Sequence, residues 1–292
     1  MSEPAPRPMI SPIQRFGGRL KGRLRPRLGP RVRPRFSGPS FNRMIPNLLT
    51  MLGLCSGLTG MRFALEGRFG AAAVAILVAA VIDGLDGRLA RLLKATSRFG
   101  AEFDSLADFV CFGVAPAFIL YLWSLQVWHG YGFMPCLMFA VCMALRLARF
   151  NAAIDGPPHP AFTYNFFTGV PAPAGAGLVL FPLFLGLEAQ VMHWDWLLRV
   201  VQFPAMVAVI LVGVALLLVS TLPVWSFKNF KVPTRYVLPT LLGTGLFAAL
   251  LVADPWAALA AGGLVYVGML PFSARSYAAL WRAAAAPDQE ED

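Results

Sequence analysis

Residues 69–108 read FGAAAVAILVAAVIDGLDGRLARLLKATSRFGAEFDSLAD. The run from Phe69 to Ile82 carries no charge, and four aspartates then follow within 26 residues: Asp83, Asp86, Asp104 and Asp108. The first two lie late in an apolar window from Phe69 to Leu93, and the others early in a second window from Phe99 to Leu125. Each window is long enough to cross a bilayer as a helix, which takes about 20 residues. The basic turn between them holds Arg88, Arg91, Lys94 and Arg98. At about 100° per residue, Asp83, Asp86, Gly87, Ala90 and Arg91 fall within an arc of roughly 140° on the first helix. Asp104 and Asp108 are one turn apart on the second. With the turn centred near Thr96, Asp83 and Asp108 are 13 and 12 residues from it, so antiparallel helices bring them level. Asp86 and Asp104, 10 and 8 residues away, meet nearer the turn.

A carboxylate inside a span costs on the order of 2.5–3.5 kcal/mol on insertion scales, so four together imply a function. Four such groups in one pocket cannot all ionise without counter-charge. Two divalent cations cancel four negative charges, and hard oxygen ligands suit Mg²⁺ or Mn²⁺. A pair of such ions roughly 3.5–4 Å apart can clamp a phosphoryl group during displacement. Gly87 and Ala90 leave the acidic face bare of bulk, and Arg91 offers a forked donor to a phosphate. The residues therefore point to phosphoryl transfer at the membrane surface. A cation-coupled transporter is the competing class, although transporters place one or two acids near the midplane and these four sit toward a basic end.

Working outward, apolar residues make up 57% of the 292 and charged ones 14%, which excludes a soluble enzyme. Apolar windows at Ile45–Leu65, Phe69–Leu93, Phe99–Leu125, Phe133–Ala148, Gly169–Leu187, Phe203–Leu222, Val237–Val252 and Trp256–Leu270 predict an all-α, polytopic membrane protein of about eight transmembrane helices. The fourth window is short, and Pro171, Pro173 and Pro182 interrupt the fifth, as in broken helices that line cavities. Lys and Arg collect in the loops reached after an even number of spans: the N-terminal segment, the Arg88–Arg98 turn, Arg146 with Arg149, Lys228 with Lys231 and Arg235, and Arg275 with Arg282. By the positive-inside rule both termini and the acidic ends of helices 2 and 3 face the cytosol of a cytoplasmic membrane. Trp123, Trp128, Trp194, Trp196 and Trp256 fall at the outer ends, as an aromatic belt would place them. Gly175 and Gly177 are among the small residues that would allow close helix packing.

Eleven of the 25 Lys and Arg lie between Arg7 and Arg43, interleaved with Pro and Gly, within a net charge of +10. Pro at that density prevents a regular helix, and the basic stretch is too long for a secretory signal. It reads as a retained cytosolic arm, either lying on anionic lipid or serving as a topology signal and tail. No aromatic residues are spaced among the Arg as a nucleic-acid platform would require. Cys55, Cys111, Cys136 and Cys142 lie in apolar stretches and support neither a zinc site nor disulfides. The chain thus divides into an arm (1–44), a core of about six spans (45–222), two further spans (223–282) and an acidic tail (283–292).

The segment matches D-x2-D-G-x2-A-R-x8-G-x3-D-x3-D at every fixed position, through Asp83, Asp86, Gly87, Ala90, Arg91, Gly100, Asp104 and Asp108. In this it resembles the CDP-alcohol phosphatidyltransferase family. PNLLT from Pro46, EFDSLADFVCFGVAPA from Glu102, RLARFN from Arg146 and FTGVPAPAGA from Phe167 are similar to the phosphatidylserine synthase branch, so the likeness runs from about Met44 to Gly177. The resemblance implies that Asp83, Asp86 and Asp104 hold two metal ions, Mg²⁺ or Mn²⁺, with Asp108 both a second-metal ligand and the general base. It further implies that Asn47, Thr50, Gly87, Arg91 and Ser97 contact CDP-diacylglycerol, that L-serine accepts the phosphatidyl group with release of CMP, and that the protein is a homodimer. Glycerol 3-phosphate, inositol phosphate or choline are the alternative acceptors within the same chemistry. Arg146 and Arg149, three apart on one face and followed by Asn151, suit an acceptor bearing an anion and argue against choline, which would want an aromatic cage. Their other reading is as positive-inside markers that snorkel to the headgroups.

Overall fold

The computed structural model describes residues 44–154, 166–220, 223–225 and 234–285. The Arg-rich arm up to residue 43, Lys228, Lys231 and residues 286–292 of the acidic tail lie outside the described residues. Among those described are eleven helices: α1 (Ile45–Leu65), α2 (Phe69–Leu92), α3 (Arg98–Asp108), α4 (Ala115–Trp123), α5 (His129–Ile154), α6 (Ala172–Val179), α7 (Phe181–Val191), α8 (Asp195–Val201), α9 (Pro204–Val219), α10 (Thr234–Ala253) and α11 (Pro255–Ala285). A π-helical segment, Phe109–Val114, joins α3 to α4 as one continuous span.

The protein is all-α and polytopic. Six segments are long and apolar enough to cross a membrane: Ile45–Leu65, Phe69–Leu92, Arg98–Trp123, Leu125–Ala152, Tyr236–Ala253 and Pro255–Ser273. Two bent pairs, α6 with α7 at 43° and α8 with α9 at 51°, bring the number to eight when each pair is one span. Both bends have a proline cause. Pro182 and Pro204 sit in the first turn of α7 and α9, where a missing N–H breaks the ladder of the helix before them. The fourth span is longer than its hydropathy window, because Gly130 and Gly132 stay helical ahead of Pro135.

Helices α1 and α2 form an antiparallel hairpin whose contact is a stripe of small residues. Pro46, Thr50, Gly53, Gly57, Gly60 and Ala64 are the buried positions of α1, spaced alternately by four and three. On α2 the facing residues are Ala72, Ala75, Ile76 and Ala79, and a Cβ on Gly60 would stand 3.2 Å from the Ala72 carbonyl. Gly175 likewise admits Leu218, whose Cδ2 would lie 2.8 Å from an added Cβ, whereas nothing lies within 4 Å of where a Cβ on Gly177 would stand.

Two three-residue strands were not expected. β1 (Phe166–Thr168) pairs antiparallel with β2 (Pro223–Trp225) in the register Phe166↔Trp225 and Thr168↔Pro223, tying the entry of α6 to the exit of α9. One outer-end tryptophan is also corrected. Trp123 is buried rather than at a lipid interface, its ring closing on Gly186, while Ser124 Oγ and Gln202 Nε2 exchange hydrogen bonds with the Gln202 and Trp123 carbonyls at 2.8 and 2.9 Å. Trp128, Trp194 and Trp196 are exposed, and Trp256 stacks on Phe184.

Candidate active site

Five residues stop α2 and start α3. The Ala95 N–H donates to the Ala90 carbonyl at 2.9 Å and the Lys94 N–H to Arg91 at 3.2 Å, with Lys94 itself at φ 48°. This paired closure satisfies carbonyls that the helix end would otherwise leave bare. Ser97 then caps α3, its Oγ accepting from the Gly100 N–H at 3.0 Å. A Cβ on Gly100 would stand 2.9 Å from Asn47 Oδ1 and 3.1 Å from Ser97 Oγ, so glycine there lets α1 close on the start of α3.

Directly after Asp108 the helix widens. Pro116 has no N–H to give the Phe112 carbonyl, and its ring would crowd that carbonyl in a regular α-helix. The π segment resolves this, with the Ala115 N–H reaching back five residues to Val110. Its Cys111 lies flush on α1: the thiol donates to the Gly53 carbonyl at 3.5 Å, and a Cβ on Gly57 would meet Cys111 Sγ at 2.6 Å. The buried thiol is thus a packing group, as its apolar setting predicted. Pro116 was the one sequence sign of the widening.

These contacts bring all four aspartates to one cleft, shared with Thr50 and floored by Ala79, Ala107 and Phe112. Asp83, Asp104 and Asp108 offer carboxylate oxygens that all lie within 4.8 Å of one another. Asp86 is held apart from that trio: it is buried, and its Oδ2 accepts from the Thr50 hydroxyl at 2.7 Å. Among the described residues no Lys or Arg is ion-paired with any of the four; the ion pairs are Arg62 and Arg68 with Glu66. Acidic oxygens crowded together without a cationic side chain are the donor set that a hard divalent cation fits.

A second, larger cavity of about 390 Å³ opens beside the cleft, and Thr50, Asp86 and Asp104 line both. Its walls include Asn47, Gly87, Arg91 and Ser97, so the five residues expected to contact the donor surround one space. Gly87 has nothing within 4 Å of where a Cβ would stand. Packing does not explain that glycine; the room beside it belongs to whatever enters the cavity.

The three residues singled out for the acceptor have separate places. Arg149 Nη1 and Nη2 donate to the carbonyls of Val219, Leu218 and Ser220 at 2.8, 3.4 and 3.3 Å, which caps the end of α9. Asn151 exchanges hydrogen bonds with Ser105 of α3 at 3.0 and 3.3 Å. Arg146 is anchored through Nε to the Val170 carbonyl at 2.6 Å. Gly169, at φ 79°, turns the chain so that Val170 can serve it. The Thr50–Asp86 tie and the Val170 anchor had no sequence signal of their own.

A polytopic helical protein whose spans enclose an acidic cleft opening on a polar cavity is built for chemistry on a charged group at a membrane surface. The family model described as CDP-alcohol phosphatidyltransferase matches residues 43–201, and that described as CDP-alcohol phosphatidyltransferase 2 matches residues 235–271. The chain belongs to the CDP-alcohol phosphatidyltransferase family. It is 41% identical over 233 residues to the CDP-diacylglycerol–serine O-phosphatidyltransferase of Mycobacterium leprae (strain TN), a match covering 79% of this chain and 74% of the relative. The enzyme of that name from Helicobacter pylori (strain ATCC 700392 / 26695) is 34% identical over 188 residues, 64% of this chain and 74% of its own. The archaetidylserine synthase of Methanothermobacter thermautotrophicus is 36% identical over 138 residues, covering 45% and 54%.

Proposed function

We propose that this protein transfers a phosphatidyl group from CDP-diacylglycerol to L-serine, giving phosphatidylserine and CMP. The observation that carries the reading is the junction of cleft and cavity, where Asp86 and Asp104 belong to both. A nucleotide diphosphate in the cavity therefore lies against the carboxylates. Asn47, Gly87, Arg91 and Ser97 receive the donor, Arg91 giving its forked N–H groups to the diphosphate. Thr50 acts at one remove by fixing the Asp86 carboxylate.

Asp83, Asp86, Asp104 and Asp108 would hold two divalent cations, Mg²⁺ or Mn²⁺. When bound, these supply positive charge against the phosphate oxygens. Asp108 takes the proton from the serine hydroxyl. The serine oxygen then forms a bond to the phosphorus that bears the diacylglycerol, the bond from that phosphorus to the bridging oxygen breaks, and CMP leaves with the electron pair. Arg146 of α5, whose terminal nitrogens make no hydrogen bond among the described residues, suits the anion of an amino-acid acceptor. The site works from the cytosolic face, as the even-numbered basic loops indicate.

The test is an acceptor panel. Purified protein with CDP-diacylglycerol and Mn²⁺ or Mg²⁺ is offered serine, glycerol 3-phosphate, inositol phosphate and choline, with the lipid product identified. Phosphatidylserine with serine is expected. CMP with another acceptor and none with serine moves the protein to another branch, and no CMP with any acceptor overturns the enzyme reading.

A further inference from the structure

Cations are used in two ways in this molecule. Arg62 and Arg68 pair with Glu66, and Arg146 and Arg149 donate to backbone carbonyls. Around the α2–α3 turn, by contrast, Arg88, Lys94 and Arg98 are exposed, and their side chains have no hydrogen bond or ion pair among the described residues. Glu102, four residues on from Arg98, does not pair with it. Local preference opposes two of these three charges. The closure of α2 puts Lys94 at φ 48°, the left-handed position where glycine is favoured. The same closure ends α1 with Gly67 at φ 72°, and His193 takes that place after α7, so a side chain is tolerated there at a conformational cost. Arg98 is the first residue of α3, at the positive end of its dipole, and no acid stands in that first turn. Positive-inside topology asks only for charge in this loop, and a lysine one residue away would supply it without the strained backbone. Local rules broken at exposed, unpaired cations point to function.

The surroundings identify the ligand. On α2, Leu85 and Leu92 stand three residues before and four after Arg88, so the three share one face, and the leucines are 51% and 79% exposed. Phe99, next to Arg98, is 69% exposed and stacks on Phe103. Apolar side chains so exposed at the end of a membrane span lie at the boundary between acyl chains and headgroups. Cations carried among them meet lipid phosphates at that level. A soluble anion would make no use of the apolar flank, whereas a phospholipid uses both. We propose that Arg88, Lys94 and Arg98 bind the phosphate of an anionic phospholipid, with Leu92 and Phe99 against its acyl chains. The donor cavity takes Arg91, Ser97 and Gly100 from the same stretch but none of these three cations, so the lipid site is separate from the cavity and borders it.

The test is lipid binding to the full chain in neutral detergent, read by native mass spectrometry as phosphatidylglycerol or phosphatidylcholine is added, so it does not depend on turnover. The wild type should prefer phosphatidylglycerol. Lys94→Gly combined with Arg98→Gln should lose phosphatidylglycerol affinity roughly 10- to 30-fold, with phosphatidylcholine within about twofold. Its melting temperature in lipid-free detergent should not fall, because glycine suits the backbone at 94 and the cation at the start of α3 is gone. Arg88→Gln reads the site independently of the turn and should lose about three- to fivefold. Arg19→Gln with Arg23→Gln removes as much charge from the N-terminal arm and should leave the affinity within about twofold. An equal loss in the arm variant, turn and Arg88 variants within about twofold of wild type, or a wild type without preference for phosphatidylglycerol overturns the proposal. A lower melting temperature of the turn variant also overturns it, since those charges would then be structural. So does displacement of the lipid by inorganic phosphate but not by chloride at equal ionic strength, which would make the site one for a soluble anion.

Discussion

The donor side and the acceptor side of the molecule use polar side chains in opposite ways. Beside α1, α2 and α3 the functional groups face space: Gly87 meets nothing, Arg91 is exposed, and four carboxylates share a cleft without an ion-paired cation among the described residues. Beside α5 and α9 the polar groups are committed to the fold. Arg149 caps α9, Asn151 is bound to Ser105, and Arg146 is anchored by one nitrogen and keeps only its fork. The proposed chemistry lies where the fold leaves polar groups facing open space, and position in a motif does not tell the two cases apart.

Substitutions separate the two sides, and the largest effect belongs to the cleft. Asp83→Asn should lose turnover by on the order of 10³ or more together with CDP-lipid binding, measured by CMP release and by equilibrium binding. Asp108→Asn should lose about 10²–10⁴ in rate, the range a general base contributes, while keeping part of the CDP-lipid affinity. Turnover of that variant within about tenfold of wild type would mean the proton leaves by another route, and equal loss of affinity in the two variants would remove the separate role of Asp108.

Two glycines of the donor side carry the contrast to the next scale. Gly87→Leu projects into the cavity and should raise the KM for CDP-diacylglycerol roughly 10- to 100-fold, with thermal stability held. Gly57→Ala puts a methyl into Cys111 and should lower stability by about 1–3 kcal/mol in thermal unfolding, with the KM of the folded fraction little moved.

On the acceptor side Arg149→Ala should cost about 1.5–3 kcal/mol of stability and leave the serine KM within about twofold, whereas Arg146→Ala should raise that KM. The reverse order would make Arg149 the ligand and Arg146 the strut. Ser97→Ala gives the smallest effect, about 1 kcal/mol of stability from the lost cap of α3, with a rise of only about two- to threefold in the KM for CDP-diacylglycerol.

Most of the donor side was legible in the sequence because it lies within two consecutive helices. Residue counts from Thr96 set Asp83 level with Asp108, and helical periodicity put Gly87 and Arg91 on the acidic face. The separate setting of Asp86 was not legible. Thr50 reaches Asp86 from α1, 36 residues away, and no spacing rule encodes a contact of that range. The acceptor side was harder for the same reason. Arg146 and Arg149 look alike at three residues' spacing, and only the carbonyls of Val170 and of Leu218–Ser220, brought in by the β1–β2 ribbon and the end of α9, separate them.

The proposed transfer requires the aspartate cleft to be loaded with a divalent cation. CMP release from CDP-diacylglycerol and serine measures this directly, on protein stripped with chelator and then titrated with Mn²⁺, wild type beside Asp83→Asn. No release is expected from stripped protein, with full recovery of the wild type as Mn²⁺ is added and none by the variant at any concentration. Release at the wild-type rate in chelator, or recovery by Asp83→Asn at wild-type Mn²⁺ concentrations, would contradict it.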